Sequence, residues 1–295
     1  MDPPEASPPA RPIFPREPGR ALGKIHSRMN PNRIDWLFAG LGTKKRKALI
    51  AYLVAGDPDL ESTARLVPAL AEAGADLVEL GVPFSDPLAD GVVNQLGCQR
   101  ALDSGTTLPK VLELVARLRR EKCDIPLVLF TYYNPVFAYG REKFEQDAAR
   151  AGADGLLLLD LPPEEADRDL PPSDHLRRIV LVAPTTPESR LKAITRHASG
   201  FVYYVSREGV TGMQKSLPST LSERVSLLKK TTPLPVCVGF GISNPEQAGQ
   251  VARLADGVVV GSAIVDRIGK LGRSPNLASE VGSFLRPIAQ AVHAA

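Results

Sequence analysis

The sequence predicts a (β/α)8 barrel, and three observations carry the prediction. From Lys47 onward, eight short apolar runs recur at irregular spacings. They are rich in Val, Leu and Ile and do not alternate in polarity, as parallel strands buried on both faces should read. Stretches of helical period separate them, and eight strand–helix units fill about 250 residues in such barrels. The competing fold, an open doubly wound sheet, needs a Gly-rich phosphate loop after its first strand. Ala55-Gly56-Asp57-Pro58 is not such a loop.

The elements follow in order. Seven of the 27 prolines (Pro3, Pro4, Pro8, Pro9, Pro12, Pro15 and Pro18) leave no room for a helix or a paired strand at the start. Residues 1–28 therefore read as a disordered leader, most simply the product of an upstream start codon, with Met29 opening a barrel domain over residues 29–295. A short helical pattern runs through Ile34, Trp36, Leu37 and Leu41. Strands are expected at 48–55, 75–82, 126–132, 155–161, 178–183, 201–206, 236–241 and 257–261. Helices are expected at 62–73, 109–120, 141–151, 188–197, 222–230 and 245–254, among others. Asp57-Pro58 reads as a cap before a proline at the first helical position, and Ser243-Asn244-Pro245-Glu246 resembles a capping box.

Bulk properties exclude several classes. A hydrophobic content of 43% supports a full core, and a net charge of +3 without a basic, aromatic-interleaved stripe argues against nucleic-acid binding. No apolar run approaches the ~20 residues of a membrane span, and the leader lacks the apolar core of a secretory signal. Cys98, Cys123 and Cys237 are too scattered for a disulfide framework or a zinc motif, which fits a cytoplasmic protein. Cys237 reads as a small buried hydrophobe.

In a barrel the site lies where strands end. The second run carries Glu79 among apolar neighbours, and Asp90 sits on the loop that follows, beyond Asp86. Burial pushes a carboxyl toward a useful acid or base near neutral pH, while a loop carboxylate can stay ionised. That pairing suggests acid–base chemistry divided between two environments. Singly, Glu79 could be structural and Asp90 a helix cap; together on one loop they point to chemistry. Gly239-Phe240-Gly241 and Gly261-Ser262 end the last two strands just before helix starts, where backbone N–H groups favour an anion. With Gly212 at the tip of the preceding loop, they read as a phosphate site. The alternative is that these glycines only permit tight turns. No histidine or lysine ends a strand, so metal catalysis and a Schiff-base aldolase are not expected. Lys44-Lys45-Arg46-Lys47 precedes the first strand, on the face opposite the site, and reads as solvated surface.

The run Leu77-Val78-Glu79-Leu80-Gly81-Val82-Pro83-Phe84-Ser85-Asp86-Pro87-Leu88-Ala89-Asp90-Gly91 resembles the signature of tryptophan synthase α subunits. Gly56-Asp57-Pro58, Ser206-Arg207-Glu208-Gly209-Val210-Thr211-Gly212, Gly239-Phe240-Gly241-Ile242-Ser243 and Gly261-Ser262-Ala263-Ile264-Val265 support it in order. The resemblance implies a cofactor-free retro-aldol cleavage of indole-3-glycerol phosphate to indole and glyceraldehyde 3-phosphate. It assigns Glu79 as acid and base and Asp90 as the charge that stabilises the indole nitrogen, with Tyr203 beside them. Gly212, Phe240, Gly241, Gly261 and Ser262 would bind the phosphate. Tyr52, Leu127, Phe130 and Tyr132 would line the indole pocket. Loops carrying Asp86, and Arg207 with Thr211, would close the site. The resemblance also implies a pyridoxal-phosphate β subunit as partner in an α2β2 assembly, the pyridoxal phosphate belonging to that partner. Many members continue Asp-Gly-Pro, whereas Val92 here removes that φ constraint. Another phosphate-binding barrel isomerase or epimerase, and a non-catalytic regulatory subunit, are the alternative readings.

Overall fold

The computed structural model describes residues 31–169, 173–205, 220–239 and 241–295; the expected leader, residues 1–28, lies outside them. Eight parallel strands close in sequence order. They are β1 (Ala48–Val54), β2 (Leu77–Gly81), β3 (Leu127–Thr131), β4 (Gly155–Leu158), β5 (Arg177–Val182), β6 (Val202–Val205), β7 (Val236–Gly239) and β8 (Gly257–Val260). β8 pairs with β1, Ile50 opposite Val259, so no edge is left. Each predicted apolar run meets one strand, and only β5 begins a residue ahead of its run.

The surrounding helices are α1 (Arg33–Lys44), α2 (Leu60–Glu72), α3 (Val92–Asp103), α4 (Leu108–Arg120), α5 (Tyr133–Tyr139), α6 (Arg141–Ala151), α7 (Pro163–Asp169), α8 (Glu188–Thr195), α9 (Leu221–Thr231), α10 (Pro245–Ala252), α11 (Ser262–Leu271) and α12 (Leu277–His293). Two start signals resolve differently from the sequence reading. Asp59, not Asp57, caps α2, its side chain accepting from the Ser62 N–H at 2.7 Å. Asn244 caps α10 by accepting from the Gln247 N–H, with Pro245 in the first turn.

Side-chain alternation divides the core. Leu49, Ala51 and Leu53 of β1 pack outward with the helices, whereas Ala48 and Ile50 face the lumen. Helix α1 plugs the lumen from below. Its buried stripe of Ile34, Leu37 and Leu41 meets Ile50, Leu77, Val128, Leu157, Ile179 and Phe201. Burying each such aliphatic side chain contributes about 2 kcal/mol. Trp36, read as part of that stripe, faces solvent instead. A capping box starts α1: Asn32 accepts from the Ile34 N–H, and Asp35 accepts from the Asn32 N–H. The same floor is tied by Asp154, which accepts from Arg119 at 2.7 Å, Arg33 at 3.1 Å and the Leu127 N–H at 2.8 Å. Arg46, in the run read as solvated, pairs with Asp76 below β1. With the lower end sealed, the strands' carboxyl ends and their loops are left to form a site.

Candidate active site

Strand parity aims the site residues. On β2, Val78 and Leu80 pack outward and Leu77 inward, which turns Glu79 into the lumen. Glu79 is 0% exposed, and neither carboxylate oxygen has a hydrogen-bond partner among the described residues. Burial alone raises its carboxyl from 4.5 to about 8. It is therefore a neutral acid at pH 7. An unpaired polar group this deep costs stability and calls for an explanation, of which a catalytic role is one.

Tyr203 faces the same lumen. It pairs in register with Cys237, which packs in the lumenal cluster, and its hydroxyl titrates well above 10, first through burial and then through the Glu79 charge. Gly239 makes its room: a Cβ there would lie 2.3 Å from the Tyr203 hydroxyl. Gly81 does the same for Tyr52, whose hydroxyl would meet a Cβ at 2.6 Å. Glycines at strand ends here seat tyrosine rings.

Asp90, expected on its loop as a carboxylate that can stay ionised, lies in a largely buried setting that supplies it with donors. It is only 6% exposed, and burial raises its carboxyl, opposed by hydrogen bonds from Tyr132 and Asn94. The Tyr132 hydroxyl donates to Oδ2 at 2.7 Å and accepts the Ala89 N–H at 3.0 Å. Asn94 donates to Oδ1 at 3.2 Å, and the Gln95 amide donates to the Asp90 carbonyl at 2.9 Å. Asp90 does not cap α3, whose cap residue is Gly91. Two carboxyl groups thus share one barrel mouth with opposite surroundings: Glu79 without donors, Asp90 with two. Asp86, on the same loop, is exposed and accepts from Ser85 at 2.6 Å.

An aromatic wall stands beside them. Tyr52 meets Phe130 edge-on at 5.0 Å, and Phe84 meets Tyr132 at 5.3 Å. Leu127 is not part of it. It lies at the lower end of β3 and packs outward with the helices, because it has the opposite parity to Val128 and Phe130. Leu157, Phe130's neighbour on β4, faces the lumen instead.

After β7, Gly241 has a φ of +67°, and a Cβ there would meet nothing within 4 Å beyond its chain neighbours. Gly261 precedes α11, and Ser262 opens it, so the first-turn N–H groups point out of the helix start. Gly261 also abuts the Tyr52 ring, where a Cβ would lie 3.2 Å away. Phe240, Gly212, Arg207 and Thr211 lie outside the described residues.

Sequence reasoning missed how Asp90 is held. Asn94 is four residues on, a helical spacing that could have flagged it. It also missed the ion pair between Asp57 and Arg100, which are 43 residues apart. Among the described residues no cluster of three or more His, Cys, Asp or Glu could hold a metal ion, and no helix is long and apolar enough to cross a membrane.

Residues 38–293 match the family model described as tryptophan synthase alpha chain. The chain belongs to that family. Tryptophan synthase alpha chains from Citrifermentans bemidjiense and Geobacter sulfurreducens are 52% and 50% identical over 263 residues, 88% of this chain and 98% and 99% of theirs. The crystal structure of tryptophan synthase subunit alpha from Legionella pneumophila superposes with a TM-score of 0.81 at 39% identity, covering 90% of this chain and 100% of that one. A structure of Mycobacterium tuberculosis tryptophan synthase gives 0.81 at 36% identity, covering 90% and 99%. As a tryptophan synthase alpha chain, the protein is a carbon–carbon lyase of tryptophan biosynthesis, cleaving indole-3-glycerol phosphate to indole and glyceraldehyde 3-phosphate.

Proposed function

We propose that Glu79 moves the protons of this cleavage and Asp90 stabilises the charge that develops. The observation that carries the reading is the contrast between two buried carboxyl groups, on β2 and on the loop that follows it, one stripped of donors and one held by them. Protonated Glu79 delivers its proton to indole C3, and positive charge grows on the ring nitrogen. Asp90 accepts the ring N–H and offsets that charge in a water-poor pocket. The side-chain hydroxyl then loses its proton to Glu79, the carbon–carbon bond breaks, and its electron pair returns to the ring. An aldehyde and indole leave, and Glu79 is again protonated. Tyr203 flanks the acid, and Tyr52, Phe130 and Tyr132 hold the ring. Gly241, Gly261 and Ser262, with Phe240 and Gly212, bind the phosphate through backbone N–H groups. Loops carrying Asp86, and Arg207 with Thr211, close over the ligand.

The reaction as written needs no cofactor in this chain. A β subunit carrying pyridoxal phosphate receives the indole, in an α2β2 assembly. Apolar side chains around the mouth support a docked partner: Leu88 is 88% exposed, Val92 60%, Leu96 55% and Phe137 60%. The cytoplasm is the compartment, and residues 29–295 form the catalytic domain. Turnover compared with and without an added β subunit checks the partnership.

Glu79→Gln tests the chemistry. It keeps the shape and removes the transferable proton, so indole release should fall about 10²–10⁴-fold. Binding of indole-3-glycerol phosphate, read by calorimetric titration, should stay within a few-fold. Retained turnover overturns the assignment.

A further inference from the structure

Asp57 is fully buried on the loop after β1, where neither the substrate wall nor the phosphate end uses it. Both of its oxygens are forked by Arg100 of α3, Nε to Oδ1 and Nη2 to Oδ2, each at 2.7 Å. This bidentate geometry fixes direction as well as distance. The surroundings are cut to fit. Gly97, one turn earlier on α3, approaches Asp57 so closely that a Cβ would lie 3.1 Å from Oδ2 and 2.8 Å from Val265 of α11. Gly269 of α11 leaves room for the guanidinium, which a Cβ there would meet at 2.9 to 3.0 Å. Asp266 of α11 also acts on Arg100. The Asp57 loop is itself pinned: the Gly56 N–H donates to Thr63, and Ser104 at the end of α3 donates to the Gly56 carbonyl.

Three elements therefore meet at one ion pair, and two of them carry opposite ends of the proposed site. The first turn of α3 supplies Asn94 and Gln95, which hold Asp90. The first turn of α11 supplies Ser262 at the phosphate end. We propose that Arg100 and Asp57 are positioning residues: their fork sets α3 against α11 and the β1 loop, and so sets where Asp90 stands relative to the bound phosphate. This rests on the Asp90 reading above.

Gly269→Ala tests it without removing a charge. The added methyl pushes the Arg100 head off its fork, while alanine favours the helix over glycine. We expect kcat for indole release, per folded molecule, to fall about tenfold and KM to stay within threefold. Arg100→Lys keeps the charge but loses the fork, and should lower kcat to a similar extent with the same KM. A purely structural pair predicts kcat per folded molecule unchanged in both variants, whatever happens to Tm. That result overturns the proposal. Asp90→Asn in the same assay separates the two levels: if it retains turnover, the Asp90 reading has failed, whereas if it alone is inactive, only the coupling has failed.

Discussion

Glu79 links catalysis to stability within one carboxyl group. In the unfolded chain it ionises near 4.5, whereas in the fold it holds its proton to about 8. The folded state therefore binds more protons across that window, and its stability is full below 4.5 and falls as pH rises toward 8. At 1.36 kcal/mol per unit, the loss at pH 7 is on the order of 3 kcal/mol. Glu79→Gln cannot ionise and escapes it. Denaturant unfolding from pH 5 to 8 should show the variant gaining on the native chain by about 1.4 kcal/mol per pH unit. Parallel curves would contradict the buried acid. In the native enzyme, kcat/KM should decline as pH passes about 8, where the proton donor is lost.

At the scale of elements, the Asp90 end of the loop between β2 and α3 is held by one hydroxyl just beyond β3. Tyr132 donates to Asp90 and accepts from Ala89, so it fixes the carboxylate and the backbone beside it. Its hydrogen bond also lowers the Asp90 carboxyl against the rise that burial causes. Tyr132→Phe keeps the ring wall and removes both bonds. The acid limb of the pH–rate profile should move to higher pH, because Asp90 then protonates more readily, and kcat should fall about tenfold (on the order of 1.4 kcal/mol). An unmoved acid limb would show that the hydroxyl does not tune Asp90. Elements of this kind mark the limit of what the sequence could say. The strands were legible because a doubly buried strand must be apolar throughout, and Glu79 stood out because it broke that rule. Leu127 was misplaced although alternation was available: three residues before Phe130, it has to face the other way. The Asp57–Arg100 fork was illegible, since no local pattern tells which residue a loop carboxylate meets across the fold. The burial of Asp90 was illegible for the same reason: it comes from Tyr132, just after β3, and from the start of α3.

Across the whole molecule, the barrel separates stability from chemistry by strand direction. The carboxyl ends carry Glu79, Asp90 and the proposed phosphate positions; the amino ends carry the α1 plug and the Asp154 network. Asp154 is 2% exposed and anchors Arg119 from α4, Arg33 from α1 and the first N–H of β3. Replacing it with alanine leaves Nη2 of half-buried Arg119 and that N–H without their acceptor, while the other Arg119 nitrogens keep the carbonyls of Gly152, Cys123 and Ile125. Removing one partner of a buried pair costs about 3–5 kcal/mol, far more than an exposed bridge contributes. Asp154→Ala should therefore lose about 3 kcal/mol or more in denaturant unfolding. Its kcat and KM per folded molecule should match the native enzyme, because the strands transmit no free ends to the mouth: each is hydrogen-bonded on both sides around the closed barrel. A tenfold fall in kcat at full folding would mean instead that the floor and the mouth are coupled through β3, which carries Leu127 at one end and leads into Tyr132 at the other.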